Sequence, residues 1–414
     1  MQRLVSRNQK IILIYESALV LNDLPGPLDG IVVVDATKVL GPPFCTQILG
    51  DMGAEILKVE LPKAGDDFRH ATPIVQGESY HFILHNRNKK SITINLKTQE
   101  GREIVYRMIR NADVFIENQK PGNAKILGID YDTLGKINQR LVYCSISGYG
   151  QSGELKDYPA FDLIAQAMSG ILSISGNSFG PSVAGVSFSD LGSGIYGALG
   201  IVAALFARDR IGTGQFVDIS LLDTSISVLG QMAALYLGTG SVPGPGDKEK
   251  AIVPYGMFET KDRPIVLEAA AQPSWEKLCQ ALELRDLLKD ERFATQPLRV
   301  KNREIVMPIL EKEIKKRSSE EVLALFRKFG VPSSPIMNLK EVFDHPHVKE
   351  RMVSYVEHSK LGKIKVISPA IKLTKTPLSI RLPPPMLSQH TDEILARFGY
   401  GSKEIERFHE EGIV

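Results

Sequence analysis

From Gly30 to Gly150, short β-branched runs alternate with helical stretches, and few folds accept such a pattern. "GIVVVDAT" (30–37), "EILKVEL" (55–61), "SITINL" (91–96), "DVFIEN" (113–118) and "LVYCSISGYG" (141–150) read as strands. "PFCTQILGDMGA", "TQEGREIVYRMIRNA" and "YDTLGKINQR" lie between them and read as helices, the first closed by glycine. Strands joined by helices run parallel, because a helical crossover returns the chain to the same edge. Their apolar character on both faces predicts helical cover on both sides. The expected class is α/β with a largely parallel sheet.

Beyond this block, "DLIAQAMSGILSIS" and "GSGIYGALGIVAALFARDR" read as two small-residue helices. "GQFVDISLLDTSISVLGQMAALYLG" reads as a strand running into one long helix. Residues 238–250 carry four glycines and two prolines, a loop or boundary rather than a core element. A second unit follows, with "IVLEAAA" as a strand and "SWEKLCQALEL", "REIVMPILEKEIKKR" and "SEEVLALFRKFG" as helices. The tail holds "RLPPPML" and a final helix, "TDEILARFG".

Charge excludes one class of partner. Fifty basic against 48 acidic side chains give +2, and no basic block interleaves with aromatics, so no nucleic-acid partner is expected. Cys45, Cys144 and Cys279 are far apart and read as free thiols. No apolar run approaches a membrane span, so no membrane partner is expected. No metal site is expected either: His345 and His347 flank a proline without a helical i, i+4 pair or a cysteine partner. Arg3, Arg7 and Lys10 precede the first acid, Glu16, which interrupts the apolar region and argues against a signal peptide. A cytoplasmic location is expected, or the mitochondrial matrix if this stretch is a presequence.

Three motifs compete for the chemistry. Gly192, Gly194 and Gly197 match the dinucleotide pattern G-x-G-x-x-G. A pyrophosphate site needs an apolar strand ending at the first glycine and no anion at the turn. Here Asp190 stands two residues before Gly192, and Asp218 lies inside an apparent strand. The bland alternative is that the glycines let a helix pack closely on a neighbour. "GNSFG" offers Ser178 in a G-x-S-x-G pattern, but Pro181 follows and no amphipathic helix begins there. Asp190 sits at the start of a helix running from Leu191 or Gly192, where unpaired N–H groups and the helix dipole favour an ionised carboxylate. It is either a helix cap, for which Asp is well suited, or a nucleophile able to carry an acyl group.

Taken in order, "PLDGIVVVDAT", "GPPFCTQILGDMGAEILKVE", "NRNKKSITINLKTQEGR", "ADVFIENQKPG", "LVYCSISGYGQSG", "FDLIAQAMSG", "SDLGSGIYGALGIVAALFARDRIGTGQFVDISLLD" and "HTDEILARFGY" resemble the family III CoA-transferases. That group includes formyl-CoA transferase and carnitine CoA-transferase, and the likeness runs from about Pro27 to Tyr400. It implies a large Rossmann-like domain plus a smaller α/β domain, in an interlocked homodimer. The implied division is an extension at 1–26, a large domain at 27–222 and 370–414, a linker at 223–250, a small domain at 251–345 and a return linker at 346–369.

The resemblance implies that Asp190 is the nucleophile, attacking an acyl-CoA thioester and then carrying CoA to a small carboxylic acid. Succinyl-CoA is the donor that the family suggests. CoA enters as a thioester substrate, with no permanently bound cofactor. By position, the resemblance places CoA near Val39, Leu40 and Gly41, near Ile94 to Lys97, near Asn118, Gln119 and Lys120, and near Pro159 to Asp162, which includes Phe161. Lys97 and Lys120 are the expected phosphate partners, with Arg69 and Lys125 as further candidates. On this reading the glycines after Asp190 leave room for the thiol and acyl groups. Formyl-CoA transferases carry arginines at the positions of Leu61 and Ile126 and a glutamine at that of Leu40, differences that argue against formate or oxalate. The alternatives are an α-methylacyl-CoA racemase, whose second base would fall at Phe161, and a serine thioesterase using Ser178.

Overall fold

The computed structural model describes residues 25–177 and 180–414. Residues 1–24, most of the expected extension, and Ser178 lie outside them. The chain forms two units: one from residues up to Ser169, Gly185–Val228 and Glu350–Val414, the other from Gly170–Ala184 and Leu229–Lys349.

The first unit is built on six strands: β1 (Val32–Ala36), β2 (Glu55–Glu60), β3 (Lys89–Thr93), β4 (Val114–Glu117), β5 (Val142–Ser147) and β6 (Phe216–Ser220). Their spatial order is β6-β5-β4-β1-β2-β3, and every neighbouring pair is parallel. The pleat sends alternate residues to opposite faces. Val34, Leu57, Phe115 and Tyr143 enter one core cluster, while Val33, Ile56, Val114 and Cys144 enter another. The first is covered by α2 (Gln99–Ile109), α3 (Tyr131–Ile137) and the tail helices Thr391–Arg397 and Ser402–Glu410. The second is covered by α1 (Gly41–Asp51), α4 (Asp162–Met168) and α5 (Phe188–Ile211). Both faces are therefore dry, which explains why the strands read as nearly continuous apolar runs.

Several local expectations change. The third strand ends at Thr93 rather than at residue 96. The long helix after β6 is two: α6 (Leu221–Ser227) stops short of Gly230, whose φ of 54° breaks the path before Gln231–Thr239. Within 238–250 a short helix begins at Asp247. The return segment holds an antiparallel hairpin, Val353–His358 with Gly362–Ile367. Ile364 and Val366 of that hairpin pack on Ile83 in a small core of their own.

A further correction concerns α5. Its 24 residues and apolar composition reach the length of a membrane span, which the sequence reading denied. Its small residues instead serve packing. Ala198, Ile201, Ala204 and Leu205 are buried against α1 and the sheet.

The second unit has an antiparallel sheet in the order Tyr255–Phe258, Ile265–Glu268, Ser333–Pro335. Helices Gln272–Ala281, Arg303–Ile314 and Ser319–Phe329 close its core around Trp275, Phe293 and Phe326. Ser318 and Glu321 form a reciprocal capping box at the start of the last helix. Around Ser178 the flanks Gly176–Asn177 and Gly180–Pro181 pair antiparallel, a hairpin rather than the strand-to-helix turn of a nucleophile elbow.

Candidate active site

Parallel strands deliver their following loops to one edge of the sheet, the edge where α/β proteins bind ligands. The topology thus gathers Val39–Gly41 after β1, Ile94–Lys97 after β3 and Asn118–Lys120 after β4. Two of these loops are tied directly. The Lys38 N–H donates to Asn118 Oδ1 at 3.0 Å, and Asn118 Nδ2 donates to the Lys38 carbonyl at 3.0 Å.

Asp190 lies in the first turn of α5, which begins two residues before it, with Ser187 as cap residue. It is therefore not the helix cap. That task falls to Asp162 from α4, whose Oδ1 accepts the N–H groups of Ser189 at 2.8 Å and Asp190 at 3.2 Å. Gln166 Nε2 donates to the other Asp162 oxygen at 2.6 Å and fixes its rotamer. Among the described residues no donor bonds the Asp190 carboxylate itself. Burial, and then the nearby Asp162 charge, push its carboxyl up to about 7. The arrangement yields a half-buried, unpaired carboxylate of unusual basicity on a rigid helix.

The glycines behave differently from the open gap that the family likeness suggested. A Cβ at Gly41 would strike the Asp190 carbonyl and come within 2.9 Å of Ser193 Oγ. One at Gly194 would strike the Gly41 carbonyl, and one at Gly197 would come within 2.9 Å of Ile146 Cδ1. The pattern is a device for close approach of α5 to α1 and the sheet, as the bland reading held.

Other expected residues divide by surroundings. Ile94 is buried in the core, so its side chain cannot meet a nucleotide. Arg69 also leaves the set. Its Nε and Nη2 each bond Glu60 at 2.7 Å, and Nη1 donates to the Pro385 carbonyl. All three guanidinium nitrogens are thus engaged within the protein. Lys97, Lys120 and Lys125 are exposed, and among the described residues none is ion-paired. Phe161 is 70% exposed beside Asp162 and offers no base. Leu61 and Ile126 are exposed too, where an arginine would have reached solvent. Val39, Leu40 and Gln119 are partly buried around the same edge.

Sequence reasoning passed over a buried ionic cluster under this edge. Lys58 pairs with Asp66 at 2.9 Å, and Lys89 with Asp35 at 3.2 Å, all four side chains being inaccessible. The signal was present: Asp35, Lys58 and Lys89 interrupt strands otherwise suited to burial on both faces.

The family model for CoA-transferase family III matches residues 28–391. The chain belongs to CoA-transferase family III. The human succinyl-CoA:glutarate CoA-transferase is 39% identical over 94% of this chain and 88% of its own length. An acetyl-CoA:oxalate CoA-transferase from Acetobacter aceti is 39% identical over 79% of this chain and 85% of its own. The crystal structure of a CaiB/BaiF family protein from Brucella suis is similar with a TM-score of 0.79, at 36% identity over 90% of this chain and all of that one. As a family III member, the chain is a CoA-transferase with a six-stranded parallel α/β fold.

Proposed function

We propose that this enzyme moves CoA from succinyl-CoA to a small dicarboxylic acid through covalent intermediates on Asp190. The observation that carries the reading is the Asp190 carboxylate: half-buried, unpaired, and borne by a residue whose backbone carbonyl abuts Gly41. An Asp190 oxygen attacks the thioester carbonyl, the C–S bond breaks, and an aspartyl–succinyl anhydride forms with release of CoA thiolate. The thiolate attacks Cγ of Asp190 and expels succinate, leaving an aspartyl-CoA thioester. An acceptor carboxylate attacks that same carbon, giving a second anhydride and free thiolate. The thiolate then attacks the acceptor's acyl carbon, which frees acyl-CoA and regenerates the Asp190 carboxylate. Each step exchanges a carboxylate with a thiolate, so no net hydrolysis is required.

Residues 39–41, 118–120 and 162 line the path proposed for CoA, with Lys97, Lys120 and Lys125 as cations for its phosphates. The human relative's name points to glutarate as acceptor. The Acetobacter relative's name keeps oxalate among the acids to be tried, despite Leu40, Leu61 and Ile126. The test is a panel of acids with succinyl-CoA, followed by hydroxylamine or borohydride treatment and peptide mapping. Modification at Asp190 supports the reading. Label elsewhere, or ester consumption without an acceptor, rejects it.

A homodimer is part of the proposal, interlocked as the family likeness implies. Its support is an exposed apolar row on α5: Ile195 at 54%, Leu199 at 62% and Phe206 at 68%. Beside it lies an apolar hollow of about 540 Å³, lined in part by Phe44, Ile48, Ile195 and Leu199. Light scattering that reports a monomer would reject this element.

A further inference from the structure

The loop after β1 is held by an unusual set of ties. Thr37 donates its N–H to Asp35 Oδ1 at 2.9 Å, and its carbonyl accepts from Lys58 Nζ at 2.8 Å. Lys38 is bridged to Asn118. Val39 has φ 77°, a left-handed conformation strongly disfavoured for a β-branched residue. Its N–H donates to Asp66 Oδ1 at 3.0 Å, and that same oxygen accepts the Phe68 N–H at 2.9 Å. Asp66 Oδ2 is paired with Lys58. Asp66 in turn donates its own N–H to Glu60 Oε2 at 3.0 Å. One buried ion pair therefore grips the loop twice, at the Thr37 carbonyl through the cation and at the Val39 amide through the anion. Two residues further on, Gly41 abuts the Asp190 carbonyl.

A buried ion pair is a poor stability device, since desolvation offsets its attraction. What it provides here is fixed geometry. We propose that Lys58 and Asp66 are positioning residues that hold Val39 in its strained conformation, so that the loop is formed before acyl-CoA binds. This rests on the proposed contact between residues 39–41 and CoA. Neither residue touches the reacting atoms. Their effect is on how often the free enzyme presents a binding-competent loop, which lowers the apparent affinity when that fraction falls.

The test uses Lys58→Met/Asp66→Leu, which removes both charges and the oxygen that accepts the Val39 amide, and leaves no orphan ion. The expected result is a KM for succinyl-CoA about fivefold higher or more, with kcat and the KM for the acid within about twofold. In the unliganded protein the Val39 amide should exchange about tenfold faster or more. Adding Val39→Gly should recover about threefold of the lost KM, because glycine adopts the left-handed conformation without the tie. A merely structural pair would not show that rescue. Should the double variant not fold, Asp66→Ala alone, which also removes that acceptor, carries the same measurements. Unchanged amide exchange overturns the proposal whether or not the enzyme turns over succinyl-CoA. Faster exchange with unchanged KM overturns it too. Absence of any transfer by the unaltered enzyme rejects the proposed function instead, and the exchange result still decides the tie.

Discussion

The carboxylate of Asp162 holds the backbone N–H of Asp190 at 3.2 Å while its charge opposes ionisation of the Asp190 side chain. One residue thus places the proposed nucleophile and makes it more basic. Geometry comes from the hydrogen bond, and basicity from burial and like charge.

Asp190→Asn and Asp190→Ala should each lower kcat by about a thousandfold or more, since no neighbouring carboxylate can replace the covalent carrier. Loss of hydroxylamine-sensitive label in the same variants checks the assignment. Near-normal turnover in Asp190→Ala would refute it.

The same variants should be more stable at alkaline pH. The Asp190 carboxyl is raised to about 7 in the folded protein, from an ordinary value of 3.8. Between those values the folded state keeps a proton that the unfolded chain releases. Stability from this group is therefore complete below about pH 4 and is lost as pH rises through 7. Asp190→Asn removes the penalty, and its Tm at pH 8 should exceed that of the unaltered enzyme by a few degrees, a gain on the order of 2 kcal/mol. Equal melting at pH 8 would show that the carboxylate is not strained there.

Turnover should fall as pH drops below about 7, because only the ionised carboxylate attacks. Asp162→Asn keeps an acceptor for the Ser189 and Asp190 amides but removes the opposing charge. The acidic limb of the kcat profile should move down by about one pH unit. An unmoved limb would assign it to another group.

Two kinds of cation should separate cleanly. Lys97→Ala and Lys120→Ala are expected to raise the KM for acyl-CoA several-fold, more at low salt, without lowering Tm. Arg69→Ala should instead lower stability by about 3–5 kcal/mol, because it leaves the buried Glu60 carboxylate without its partner. Chemical denaturation alongside initial rates distinguishes the two effects.

Gly194→Ala should cost about 2 kcal/mol or more and reduce activity, since its Cβ would enter the Gly41 carbonyl and part α5 from α1. Gly185→Ala, with nothing within 4 Å of its added Cβ, is the control and should leave stability near that of the unaltered chain.

Much of this was legible in the sequence because it depends on local periodicity. Largely apolar runs of four to six residues between amphipathic helices specified β1 to β5 and the parallel sheet, since only helical cover on both faces buries such strands. Asp190 could be located from a single carboxylate ahead of a glycine-spaced helix. The proposal that it is a nucleophile rests on resemblance. The tertiary structure decided what no local pattern encodes. It set Asp162, 28 residues away in sequence, on the Asp190 amide, and turned Arg69 inward to Glu60. It also spent the glycines on helix contact and buried Lys58 with Asp66 beneath Val39. Periodicity reports which side of an element is dry. It does not report which charge meets which, because such pairing depends on strand order and loop path, and these exist only once the sheet has closed over its core.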